Sequence, residues 1–225
     1  MASSSRAPAP RDWAALPRDV QWEVFRRLPH ADILCGAGLV CASWRRLATD
    51  EPMLWRRIDI ASKSNDDGES SPDPSLLAMA RAAVDRSAGR CESFRGPADC
   101  HLLAYLAASA PSLRSLHVTS FFRLPRDLVG RVVPELAALE RLVLSRGITT
   151  FAMLHAFLDH CPRLQLLDAK GCYMGGPLEL RLITSFMQKT RAAEIVALPR
   201  WLLPKEPMYM KMLAEDGHCP VSSYS

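Results

Sequence analysis

The 225-residue sequence lacks any apolar run approaching the ~20 residues that a membrane-spanning helix needs. Its first ten residues are rich in Ser, Ala and Pro, with no apolar stretch that would read as a secretory leader. No CxxC pair, HExxH, GxSxG or glycine loop followed by Lys-Ser/Thr occurs. The commonest signatures of zinc binding, metalloprotease, hydrolase and phosphate-loop chemistry are therefore missing, and neither a metal nor a cofactor is expected. Lysine is scarce: only Lys63, Lys170, Lys189, Lys205 and Lys211 among 28 basic residues. The arginines are scattered among 24 acidic residues, for a net charge of +4. A protein that tracks phosphates concentrates its cations in a stripe, so no nucleic-acid partner is expected, and no membrane partner.

Seven cysteines, an odd number without close pairing, fit reduced thiols in the cytoplasm and/or nucleus. His155, His160, Cys161 and Cys172 form the one grouping worth testing as a metal site. The two histidines lie five positions apart, on different faces of a helix, so packing is the better reading. Gly171 to Gly176 is a turn following a strand, not a phosphate loop, and Cys172 within it reads as structural.

Composition divides the chain. Residues 1–11 read as a disordered tail, and residues 12–60 are dense in tryptophan and aliphatics. Residues 61–74, Ala-Ser-Lys-Ser-Asn-Asp-Asp-Gly-Glu-Ser-Ser-Pro-Asp-Pro, have almost nothing to bury and read as an acidic flexible linker. The dense block predicts three short helices. Pro17 opens the first, with Val20, Val24, Phe25 and Leu28 on one side, and Pro29 stops it. Asp32 favours the start of the second, which continues through Ile33, Leu34, Leu39, Val40, Trp44 and Leu47 with a bend at Gly36 and Gly38. Asp50 and Pro52 start a last turn that buries Leu54 and Trp55.

Leu16-Pro17, Leu28-Pro29, Asp32-Ile33-Leu34, Val40-Cys41, Trp44-Arg45 and Leu54-Trp55-Arg56, in this order and spacing, resemble an F-box over residues 12–60. Cys35, Gly36 and Gly38 depart from the family pattern. The resemblance implies docking to a Skp-type adaptor, itself attached to a cullin scaffold in an SCF ubiquitin ligase. The expected adaptor-binding residues are Leu16, Pro17, Phe25, Leu28, Pro29, Ile33, Leu34, Val40 and Trp44. Trp44 and Trp55 could equally fill the block's own core.

From residue 75 the sequence repeats. Leu113–Val118, Leu139–Leu144 and Leu164–Ala169 each place apolar residues first, fourth and sixth, at steps of 26 and 25 residues. Cys91–Gly96 reads as an earlier, degenerate copy. Apolar helical patterns lie between, around Leu102–Ala107, Leu128–Ala137 (interrupted by Pro134) and Phe151–Leu158. A period of ~20–29 residues with this L-x-x-L-x-L core is that of leucine-rich repeats. Over most of its length the chain then resembles plant-type F-box/leucine-rich-repeat proteins. The expected fold is an α/β repeat: an N-terminal all-α F-box helical domain followed by a short leucine-rich-repeat solenoid over residues 75–207, with a tail at 208–225. A further helix is expected near Leu178–Met187 and a strand at Ile195–Leu198.

Inward leucines leave the intervening residues facing out. Arg95, Ser115, His117, Thr119, Arg141, Val143, Asp168 and Lys170 are therefore the expected contacts to an unknown target protein; Ser145 and Leu166 lie on the same face. What the resemblance implies is a non-catalytic substrate-recognition subunit that promotes ubiquitination and degradation. The alternative is a regulatory module that binds or sequesters the adaptor without delivering a substrate.

Overall fold

The computed structural model describes residues 12–60, 72–121 and 126–174, with strand backbone at 195–197 and 200–201. The expected tail at 1–11, most of the linker, the helix near 178–187 and the tail at 208–225 lie outside the described residues.

The dense N-terminal block forms three short helices, α1 (Arg18–Phe25), α2 (His30–Cys35) and α3 (Ala42–Asp50), closed by a 3-10 turn at Pro52–Trp55. The second helix, expected through Leu47 with a bend at Gly36 and Gly38, is broken there into two. The helical run ends at Cys35, one 3-10 turn spans Ala37–Leu39, and α3 begins after Cys41. On α1 the inward pair is Gln21 and Phe25, one turn apart, while Val20 points to solvent. Gln21 Nε2 donates to the Leu16 carbonyl at 2.7 Å and so holds the Leu16-Pro17 bend against the helix. Both tryptophans in doubt pack inside. Trp44 stacks edge-to-face on Phe25 at 5.3 Å and donates its indole N–H to the Trp13 carbonyl at 3.0 Å. Trp55 is fully buried and donates to the Ala48 carbonyl at 2.8 Å. Each indole thus buries its ring with its one donor satisfied.

The chain leaves this block as a strand, which the sequence pattern does not foretell. Strand β1 (Arg57–Asp59) is the first of a six-stranded parallel sheet, within residues expected to be purely helical. The others are β2 (Ser93–Gly96), β3 (Ser115–Val118), β4 (Arg141–Leu144), β6 (Leu166–Asp168) and β8 (Ile195–Ala197), laid side by side in chain order. A second, three-stranded parallel sheet joins β5 (Ile148–Thr149), β7 (Tyr173–Met174) and β9 (Arg200–Trp201). Helices α4 (Pro74–Arg86), α5 (Cys100–Ser109), α6 (Arg126–Val132) and α7 (Phe151–His160) connect successive strands of the large sheet. Their starts are chemically marked. Asp73, the last acid of the expected linker, caps α4; Asp99 caps α5 and Thr150 caps α7. Pro134 ends α6 and opens a 3-10 turn at Val133–Leu136, as its missing N–H requires.

Register converts the leucine pattern into a core. Ile58, Phe94, Leu116, Leu142 and Leu167 stand in one row across five strands, and none is more than 2% exposed. Leu113 and Leu139 are equally buried, while Leu164, in the last copy, is half-buried. Full burial of such a side chain stabilises by ~1.5–3 kcal/mol. One contiguous core runs from Phe25 in the helical block to Met174. Turns between units are tight where glycine stands: a Cβ on Gly171 would lie 1.8 Å from the Ser145 carbonyl oxygen of the preceding unit. Steric demand, not phosphate binding, accounts for that glycine.

His30 joins block and sheet. Its Nδ1 accepts the Asp59 N–H at 3.3 Å, so Nε2 carries the proton and donates to the Leu54 carbonyl at 3.2 Å. Burial lowers its pKa; the Leu54 carbonyl and Asp59 oppose that less strongly. The unfolded ring titrates near ~6.5. Stability from the neutral ring is therefore complete above that value and declines as pH falls from about 6.5 toward the lower folded-state pKa. We expect His30→Gln to lower the urea midpoint at pH 7.5, and the gap to the parent to narrow by pH 5.5; a gap independent of pH would contradict this role.

Because the core is shared, Trp55→Ala is expected to cost ~3–5 kcal/mol. Block and sheet should still unfold together. Far-UV dichroism and the fluorescence of the four remaining tryptophans, Trp13, Trp22, Trp44 and Trp201, should trace one transition in urea, and two separated transitions would contradict a shared core.

Candidate functional site

Two surfaces stand out, one on each part of the molecule. On the helical block, the expected adaptor residues divide by burial. Phe25 and Ile33 are 0% exposed and Trp44 is 7% exposed. These three are corrected to core residues: in helices of six to nine residues packed this tightly, the largest side chains fill the interior. Pro17, Pro29 and Val40 are exposed, and Leu16, Leu28 and Leu34 are half-buried. The sequence pattern missed Trp13, Val20, Leu39 and Met53 as surface residues. Together with Val40 they are the exposed large apolar side chains among the described residues, and all lie between positions 13 and 53. Period alone could not identify them, because nearly every face of these helices carries an apolar residue.

Two concavities open on this block. Arg18, Asp19, Trp22, Leu47, Glu51 and Met53 line one of about 640 Å³, where Arg18 and Glu51 form an ion pair across the rim. Leu28, Asp32, Cys35, Gly36 and Ala37 line another of about 410 Å³.

The second surface is the uncovered face of the large sheet. All eight expected target contacts reach solvent there, at strand positions alternating with the buried row and just beyond the strand ends. Register sorts them. Asp59, Arg95, His117, Val143 and Asp168 share one row; Arg57, Ser93, Ser115, Arg141 and Leu166 share the next. Thr119 and Lys170 follow beyond the strand ends. Arg95 binds both carboxylate oxygens of Asp59 at 3.0 and 3.2 Å. His117 Nε2 and Ser145 Oγ are 2.6 Å apart, and burial followed by the Arg95 charge lowers the His117 pKa.

Just before the strands lies a row unforeseen from sequence: Arg56, Glu92, Arg114, Glu140 and Gln165. The carbonyls of Arg56, Glu92, Arg114 and Glu140 each accept two successive N–H groups from the next unit. Their side chains pair as Arg56–Glu92 at 2.8 Å and Arg114–Glu140 at 3.1 Å. Arg56 is the main reason that the Glu92 pKa is lowered.

Cys161 and Cys172 are buried and belong to neither surface. Burial pushes the Cys172 thiol up to about 12 and Cys161 to about 11, and each donates to a carbonyl of an earlier unit, Leu144 and Leu136 respectively. No group of three His, Cys, Asp or Glu side chains among the described residues is placed to hold a metal ion, and no described helix is long and apolar enough to cross a membrane.

Known proteins resemble both parts. The F-box-like family matches residues 13–61. F-box/LRR-repeat protein 23 of Arabidopsis thaliana is 33% identical over 161 residues, covering 70% of this chain and 34% of its own length. The Arabidopsis F-box protein SKIP19 is 36% identical over 155 residues, covering 64% of this chain and 49% of its own. The Arabidopsis F-box/LRR-repeat protein 22 is 26% identical, with 73% of this chain and 70% of its own length aligned. The chain thus spans a third to a half of the first two relatives. The helical block is an F-box-like domain, and the chain is a protein of the plant F-box/LRR-repeat type.

Proposed function

We propose that this protein is a non-catalytic substrate-recognition subunit of an SCF-type ubiquitin ligase. The F-box-like block, over residues 12–60, docks on a Skp-type adaptor and through it on a cullin scaffold. The stacked units that follow form a short leucine-rich-repeat solenoid, within residues 75–207, whose open strand face holds a target for ubiquitination. The protein acts in the cytoplasm and/or nucleus. It contributes no bond-making chemistry and works by proximity, raising the local concentration of target beside a charged enzyme.

One observation carries the reading. The large apolar side chains left in water among the described residues, Trp13, Val20, Leu39, Val40 and Met53, all fall on the F-box-like block. A concentrated apolar surface of this kind marks a protein-binding site. The parallel strands in chain order, with their apolar row in register, support the solenoid.

The adaptor arm is tested with purified Skp-type adaptor. Leu39→Asp/Val40→Asp is expected to weaken capture more than tenfold with little change in the urea midpoint, because both side chains are already exposed. Leu16→Ala/Pro17→Ala should also weaken it. Undiminished capture by both variants, or none by the parent, would overturn the reading. An assembled complex that holds adaptor but excludes cullin would instead favour sequestration.

A further inference from the structure

The open strand face, read above as the target surface, carries its charge unevenly. Most of its ions are already neutralised in place. Arg56 is on Glu92, Arg114 on Glu140, and Arg95 on Asp59. The row Arg57–Ser93–Ser115–Arg141 differs: it has a cation at each end, hydroxyls between, and no acid. Arg57 and Arg141 are both exposed, and neither is in an ion pair among the described residues. Glu92 lies within electrostatic reach of Arg57, but its carboxylate is held by Arg56.

We propose that this face takes an extended acidic peptide laid across the strands, with two carboxylates four residues apart, one on Arg57 and one on Arg141. The proposal rests on the target-surface reading and names the chemistry that surface selects. Its spacing follows from the sheet. Arg57 and Arg141 are three strand steps apart, about 14 Å at ~4.8 Å per step. An extended peptide rises ~3.3 Å per residue, so positions i and i+4 lie about 13 Å apart on the same side. Each guanidinium can then take a carboxylate through two parallel hydrogen bonds. Ser93 and Ser115, half-buried between them, can donate or accept toward the peptide backbone. Beyond Arg141 the row continues as Leu166, with Asp168 on the same strand, so a third carboxylate further along would meet an apolar side chain and a like charge. A nucleic-acid strand fits this face poorly, since its regular phosphates would pass Glu92, Glu140, Asp59 and Asp168.

A random 12-residue peptide library displayed on phage, panned at low salt against the full chain, tests the idea. Enriched peptides are expected to carry an Asp/Glu pair at i and i+4. A synthetic copy of one should bind about tenfold or more weakly to Arg57→Gln/Arg141→Gln, and to the parent when salt is raised. Both substitutions are on the surface, and an unchanged urea midpoint verifies that the variant is folded. No enrichment, enrichment without acidic pairs, equal binding to the double variant, or tighter binding of a single-stranded RNA oligomer would each overturn the proposal. Adaptor capture by the same preparations reports separately on the function from which the surface was read.

Discussion

The six-stranded sheet hangs on three residues of backbone. Arg57–Asp59 leaves the F-box-like block as a strand and offers the template on which β2 pairs, Arg57 to Ser93, Ile58 to Phe94 and Asp59 to Arg95. Without that first strand, the next would be an uncovered sheet edge, with unpaired N–H and C=O groups in a row. With it, the edge is moved onto the helical block and managed there: the outward N–H of Asp59 is taken by His30, while the Ile60 N–H turns inward to the Arg95 carbonyl at 2.8 Å. The apolar side chains on either side of the join, Trp55, Ile58 and Ile60, are all essentially buried. A hinge between two modules would need few contacts and a polar seam. This join has neither, so the exposed apolar side chains of the helical block and the strand face are set at a constant attitude to each other.

The sheet is unusual in leaving one face open, since parallel strands are commonly covered on both. Here helices cover one face only, and the other is kept compatible with water by its side chains. The alternating Arg and Glu before the strands pair with one another across neighbouring units, Arg56 with Glu92 and Arg114 with Glu140. Exposed pairs of this kind add little to stability individually, ~0–1 kcal/mol. Their larger effect is on the charge pattern: by neutralising one another they leave Arg57 and Arg141 at the two ends of a row without an acid.

How much of this was readable in the sequence depended on length scale. The inward leucines were, because the L-x-x-L-x-L spacing repeats and each copy reinforces the others. So were the F-box-like block and the breaks at Pro29 and Pro134, which have local causes. The sorting of the block's apolar residues was not. Phe25, Ile33 and Trp44 look as available as Val20, Leu39 and Val40 when helices are too short to display a period, and only packing decides which go inside. Strand β1 and the two-residue strands β5 and β7 fall below the length at which alternation can be recognised. The ladder of Arg56, Glu92, Arg114 and Glu140 joins residues 22 to 36 positions apart, and it becomes visible only once register is known.

A parallel sheet that grows from one end has a fixed pitch. Each further strand adds about 4.8 Å, and its origin is anchored at Trp55 and Ile58 beside the helical block. The array is therefore a ruler with its zero on the F-box-like domain. A surface residue's unit number measures its distance from that domain, and gaining or losing one 25-residue unit would shift every position beyond it by one graduation while leaving those before it in place.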